Sequence, residues 1–322
     1  MRGAMVLVCA MVAGCGNGSA PTAPPPPATP TAPAAPTSWA ISGQILAAPQ
    51  GTPIPGASMT FGEAAAVSTD ASGNFTIVTT DAMTRSLLIA APGYWTRETS
   101  LTGGEVRSGV LFDLIGEVPA FPRSQYLELA RNAYEAPGKH EPTRRWTANP
   151  NIYISTRWRD SGQAVAQQSI DFLISEIRRI IPQWTAGKLQ AGTIETGVGS
   201  RALAKGWIHV EFGRSGNWSR LGEDPGQVQL GTEGTCISFG IAHEFGHALG
   251  YWHSSVKPSI MGGGPTSCTL YDLTPNEALI ARVMYSRAPG NLEPDKDGPP
   301  PPPPVYTLEN RRSVMTCDSL FD

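Results

Sequence analysis

The stretch "HEFGHALGYWH" at positions 243–253 holds three of the five histidines in this 322-residue chain. His243 and His247 are four apart. On a helix they share one face, one turn from each other. Two imidazoles at that spacing can bind one zinc ion. Glu244 sits beside the first and can reach a water on the open side of the metal. Ile241, Phe245, Ala248 and Leu249 form the opposite, apolar face. His253 follows His247 by six residues, about 600° of rotation on an unbroken helix, which would carry it to the far side. Gly250 supplies the break, because glycine accepts the left-handed conformation that ends helices. With the break, all three rings can meet at one point. Three neutral imidazoles leave a zinc ion one open position for water, whose pKa falls toward neutrality. Glu244 would take that water's proton and pass it to a leaving amine.

The pattern HExxHxxGxxH resembles the signature of the metzincin metallopeptidases. Met261, in "HSSVKPSIMGG", falls where that family has its Met-turn, an apolar floor beneath the metal. The wording "HEFGHALGYWHSSVKPSIM" is most similar to the matrixin branch, and "LTPNEALIARVMYS" is similar to the closing helix of matrixin catalytic domains. The resemblance covers most of residues 145–287. It implies a zinc endopeptidase that holds a protein or peptide substrate extended beside an edge strand. "GTEGTCISFG" and the loop 262–273 would then shape the pocket past the scissile bond. The chain departs from the family in places. The histidine-bearing stretch that holds a structural zinc in many matrixins is not visible, and His140 and His209 are isolated; His209 reads as a strand residue. No "PRCGxPD" segment is visible before the catalytic region, so latency by that route has no support in the sequence. Met261 is followed by three glycines and not by a tyrosine, so the Met-turn offers no phenol to the oxyanion. Calcium has little support: there is no Asp-rich loop, and "GEDPG" at 222–226 offers at most one ligand.

These residues need a scaffold. Residues 118–290 read as α/β. "NPNIYIST" and "KGWIHVEF" are strands. "GQAVAQQSIDFLISEIRRIIPQW" places Ile170, Leu173, Ile174, Ile177 and Ile181 at helical spacing, with Pro182 ending the pattern. "CISFGIAHEFGHALG" is a helix that ends at glycine. In the last helix Thr274 is the N-cap, Pro275 the first helical residue, and Glu277 completes a capping box. Residues 38–117 read as a small all-β sandwich, from short alternating runs "WAISGQILA", "GASMTF", "GNFTIV" and "RSLLIAAPGY" separated by turn residues. Its "PIPGASMTF", "STDASGNFTI" and "APGY" are similar to the carboxypeptidase regulatory-like (transthyretin-like) domain. The expected fold is thus multidomain: a β-sandwich, then an α+β metzincin-like catalytic domain with a mixed sheet, an active-site helix and a C-terminal helix.

The ends read differently. Residues 1–15 have a positive start and a short apolar run, the anatomy of an export signal. "VAGC" resembles a bacterial lipobox, which implies lipidation at Cys15. Gly16 follows, not an inner-membrane retention aspartate, which points to an outer-membrane or cell-surface anchor. Residues 16–37 are a Pro/Ala/Thr tether. Residues 291–322 are a Pro-rich linker and tail, with "DKDGPPPPPP" at 295–304 read as a second tether. In an exported chain, Cys236 and Cys268 flank the histidine motif and are the candidate disulfide, leaving Cys317 free. Net charge is −3 with no basic block, which argues against nucleic acid; a monomer is expected. Two other readings stay open on sequence. One is a surface adhesion lipoprotein with an inactive peptidase-like domain; the other is a non-proteolytic zinc hydrolase.

Overall fold

A computed structural model describes residues 38–116, 121–214, 216–222, 224–231, 237–262, 272–292, 295–299 and 314–316. The export signal, Cys15, the first tether, Cys236, Cys268, Cys317 and most of the loop 262–273 lie outside the described residues. Among the described residues no helix is long and apolar enough to cross a membrane.

The first part is a pair of four-stranded sheets. β1 (Trp39–Ala48), β2 (Thr52–Pro53), β5 (Asn74–Thr79) and β8 (Arg107–Ile115) form one; β3 (Ser58–Phe61), β4 (Val67–Ser68), β6 (Thr84–Ala90) and β7 (Arg97–Thr102) form the other. In the first sheet β5 and β2 run antiparallel to β1, and β8 runs parallel to it. The second has order β4-β3-β6-β7, antiparallel throughout. Alternation decides which face is buried. Phe75 and Ile77 alternate with exposed neighbours along β5, and Ile41 and Ile45 point inward from β1. They meet Met59, Phe61, Leu87, Ile89 and Leu101 of the second sheet in one apolar core.

The second part contains α1 (Arg123–Arg131), β9 (Asn151–Trp158), α2 (Gln167–Trp184), β10 (Ile194–Gly197), β11 (Trp207–Phe212), β12 (Trp218–Arg220), β13 (Gly226–Leu230), α3 (Ile237–Ala248), α4 (Pro275–Ser286) and β14 (Val314–Thr316). Its sheet has order β10-β9-β11-β13-β12-β14. The first four strands are parallel; β12 is antiparallel to β13, and β14 is antiparallel to β12. The mixed sheet expected from the sequence is present. α2 buries Ile170, Leu173, Ile177, Ile180, Ile181 and Trp184. Pro182 does not end it: the helix runs on to Trp184. A proline in the last turn forfeits one backbone bond. Trp184 is anchored well enough to offset this, with its indole N–H on Ala242 O at 2.9 Å and its carbonyl accepting Tyr251 O–H at 2.6 Å.

The two parts share a core. Ala48, Trp95 and Ile115 of the sandwich belong to the same apolar cluster as Tyr126, Leu129 and the α2 and α3 side chains. Trp95 packs edge-on to Tyr126 at 6.0 Å between ring centres, with the Arg123 guanidinium 4.3 Å above the Trp95 ring. A buried ion network joins them as well. Arg287, just past α4, gives two 2.8 Å bonds to the Asp295 carboxylate and another to Asp113 of β8, which also accepts from Arg97 at 2.6 Å. Burial works against the Arg287 charge, but Asp295 and Asp113 outweigh it and raise its pKa. The start of the stretch read as a second tether is therefore part of the fold. Asp295 is buried, its carbonyl accepts Glu98 N–H at 2.9 Å, and Asp297 N–H returns to Glu98 O at 2.7 Å. The composition signal came from the prolines; the acidic residues before them find partners that no local pattern announces.

Arg287 and Asp295 both have fully buried side chains. Removing one partner leaves an uncompensated buried charge, so Asp295→Ala is expected to destabilise the chain by about 3–5 kcal/mol. Denaturant unfolding followed by circular dichroism measures this. A loss below about 1 kcal/mol would mean that Asp113 alone satisfies the guanidinium.

Candidate metal centre

α3 brings His243 and His247 onto one face, and the chain then reverses. Gly250 has φ +109°, a conformation open to glycine. The helix ends in a Schellman arrangement: Gly250 N–H bonds to His247 O at 2.8 Å and Tyr251 N–H to Gly246 O at 3.0 Å. The next carbonyls are taken by side chains. Trp146 indole N–H reaches Ala248 O at 2.9 Å, and Tyr285 O–H reaches Leu249 O at 3.0 Å. The reversal returns His253 to the other two rings. His247 Nε2 lies 3.0 Å from His243 Nε2 and 3.1 Å from His253 Nε2, and the three candidate ligand atoms all lie within 4.8 Å of one another.

The tautomers follow from the partners. His243 Nδ1 is 2.7 Å from Ile260 O, and His247 Nδ1 is 2.7 Å from Tyr251 O. A carbonyl oxygen only accepts, so each Nδ1 carries its proton and donates it. His253 Nδ1 is bonded to Glu135 Oε1 in the same sense. All three Nε2 atoms therefore turn lone pairs toward one point. Tetrahedral zinc with its usual Zn–N distances separates its nitrogens by about 3.3 Å, close to the two separations from His247. Three converging lone pairs repel each other and suit a cation, so the donor set fits zinc. Burial is the main cause holding the His243 pKa down at about 3, with the charge of His253 adding to it. Burial likewise keeps His247 well below the ordinary value, helped by His243 and His253. Glu244 is fully buried on α3 beside His243.

The floor of the site is apolar. Met261 is fully buried, and a Cβ on Gly246 would lie 2.5 Å from its sulfur and 3.2 Å from the Trp184 ring. Glycine between the two helical histidines is what lets Met261 and Trp184 lie against α3. Glu277 holds this turn. Its Oε2 accepts from Thr274 N–H at 2.9 Å in the capping box, while its Oε1 accepts from Ser259 O–H at 2.7 Å and Ile260 N–H at 2.8 Å. The expected capping box is present, but Glu277 also anchors the N–H of Ile260, the residue whose carbonyl orients His243.

His209 lies on β11, buried against Tyr153 with ring centres 5.6 Å apart and outside the histidine cluster; burial lowers its pKa. His140 is exposed. Asp224 of "GEDPG" accepts the Gly206 amide. Two features had no reading in the sequence. One is α1, which binds the His253 segment: Leu129 O accepts Trp252 N–H at 2.8 Å, and Glu128 takes Ser254 O–H at 2.8 Å and Ser255 N–H at 2.9 Å. The other is Glu135, which lies 118 residues from its histidine.

A model of the astacin peptidase family, a metzincin-type zinc peptidase family, matches residues 199–259. The segment runs from before β11 to just short of Met261 and includes all three histidines, which fit an HExxHxxGxxH-like zinc site. No curated protein matches the chain. Among solved structures it is similar to an N-terminal interface mutant of a type II cohesin–X-dockerin complex from Acetivibrio cellulolyticus, at 20% identity, 24% of this chain, 58% of that one and TM-score 0.21. It is also similar to a C-terminal interface mutant of the same complex, at 22% identity, 25% of this chain, 55% of that one and TM-score 0.18. The chain thus spans less than two thirds of either.

Two outcomes are expected. Glu135→Ala removes the partner that fixes the His253 tautomer, and zinc affinity should fall about 10- to 100-fold, with Glu135→Gln between the two. Competition with a chromophoric chelator reads this; equal affinity in all three would remove Glu135 from the site. The second concerns acid. Unfolded histidines take up protons near pH 6.5, whereas His243 stays neutral in the fold down to about pH 3. Between those values the unfolded chain binds more protons, so stability falls as pH drops. The metal-free chain should lose up to about 1.4 kcal/mol per pH unit for each such ring below pH 6.5. Melting temperatures in chelator should show this slope, reduced in His243→Gln.

Proposed function

We propose that the chain is a zinc-dependent metalloendopeptidase of the matrixin-like metzincin type, acting on extracellular or periplasmic proteins from a lipid anchor at Cys15. The observation that carries this reading is the convergence of three Nε2 lone pairs, each ring oriented by an acceptor on its Nδ1. His243, His247 and His253 would hold the ion. Bound zinc supplies an acidified water and polarisation of the scissile carbonyl.

The chain's own residues do the rest. Glu244 is the general base: it accepts the water's proton and delivers it to the leaving amine. It is buried on α3, one residue from His243, where it would serve a water held by the ion. Met261 and Trp184 exclude water from below. Substrate lies extended along the sheet edge beside α3, adding main-chain bonds to it. The matrixin likeness rests on the wording around the histidines and on the closing helix. The export signal makes a Cys236–Cys268 bridge compatible with the compartment. The substrate is protein, not nucleic acid, and the chain works as a monomer.

The test is cleavage of an unfolded protein substrate by the purified chain and by Glu244→Gln, with zinc counted in each. Both should hold about one zinc per chain, and the variant should lose about two to four orders of magnitude in kcat. Zinc in both with equal cleavage would remove Glu244 from the chemistry. Absence of zinc from both would remove the metal centre.

A further inference from the structure

β12 is only three residues long, yet it packs against the metal-site helix. Just before it, the Asn217 side-chain amide sits 3.2 Å from where a Cβ on Gly240 would lie, one turn before His243. Just after it, Gly222 N–H bonds to His247 O at 2.9 Å. The strand therefore brackets the stretch of α3 that carries His243, Glu244 and His247. One side of β12 pairs with β13, through Trp218–Gln229 and Ser219–Val228. The other side would be the open edge of the sheet, the place where an extended peptide adds.

That edge is taken by the chain itself. β14 pairs antiparallel with β12 in the register Trp218–Thr316, Ser219–Met315 and Arg220–Val314. We infer that residues 314–316 are an intramolecular, substrate-like strand that occupies the peptide-binding edge of β12 and competes with substrate for it. The inference rests on the peptidase reading for what is inhibited, but the pairing is independent of it. Residues 300–313 separate β14 from Pro299, and these fourteen residues span at most about 50 Å. Three residues held by main-chain bonds bind weakly when free. On a short tether the effective concentration is on the order of millimolar, which is enough for partial occupancy that substrate can displace. The segment is then a brake and not a lock, and it acts on KM.

The test uses the full chain and the variant Val314→Pro/Met315→Pro. In an antiparallel ladder, one of any two successive residues aims its N–H at the neighbour, so the double proline breaks the pairing in either phase. Hydrogen exchange is read at Trp218–Arg220, with β9 and β11 as the folding control, together with steady-state cleavage of a short peptide. The variant should exchange faster at Trp218–Arg220 alone. Its KM should fall about threefold to tenfold with kcat unchanged. Unchanged exchange at β12 would overturn the proposal whatever the activity. Faster exchange with unchanged KM would overturn the competition. Protection that fades on dilution would assign the strand to a second copy and overturn the intramolecular form. Faster exchange with no cleavage by either protein would uphold the pairing and overturn the peptidase reading instead.

Discussion

A side chain at position 250 would run into the backbone carbonyl of Arg144. That single steric fact governs the metal centre. The two helical histidines face one way, and the third can join them only if α3 stops and the chain turns back within five residues. Glycine makes the turn accessible, and the Arg144 segment fills the space that its missing side chain leaves. The same segment sends Trp146 to the helix end, where its indole takes the Ala248 carbonyl. The reversal therefore leaves no helix-end carbonyl unsatisfied: those of residues 246 to 249 all have donors. A helix end buried this deeply would otherwise be among the most destabilising features in the fold.

Around that turn, ring orientation is delegated to backbone. Two of the three Nδ1 protons go to carbonyls, of Ile260 and Tyr251, which cannot change protonation state. The tautomers are thus fixed at any pH where the fold survives. The backbone around the Ile260 carbonyl is held by Glu277: one of its oxygens serves α4, and the other accepts from the Ile260 N–H and the Ser259 hydroxyl. Burial keeps His243 and His247 neutral in the absence of metal, so binding an ion above mildly acidic pH need not displace protons from either. The arrangement lowers stability in acid, where the unfolded chain is the better proton acceptor.

The sequence made the centre of this arrangement legible and its supports almost invisible. His243, His247, Gly250 and His253 are close in sequence, so helical geometry alone predicts both the convergence and the break it requires. The capping box at Thr274 and Glu277 is equally local. Glu135 and α1 are not: they meet the His253 segment across more than a hundred residues, and a short helix that opens at Pro122 without a side-chain cap gives little periodic signal. Pro182 misled for a related reason. A local rule ends the helix there, but the tertiary contacts of Trp184 extend it by two residues. The same holds at Asp295, where a proline-rich composition concealed a buried partner for Arg287.

That ion pair changes how the sandwich should be viewed. A spacer domain would meet its neighbour through a polar, yielding surface. Here Trp95 and Ile115 enter the apolar cluster that also holds α3, and Asp113 of β8 grips the residue that follows α4. α4 carries Glu277, Glu277 holds Ile260, and Ile260 orients His243. The contacts are continuous from the sandwich to the first imidazole. The links are short hydrogen bonds, an ion pair and α4 itself, so what they transmit is position. Three nitrogens must stay converged to share one ion, and a sandwich fused to the far end of α4 contributes to that rigidity in a way that a tethered module could not.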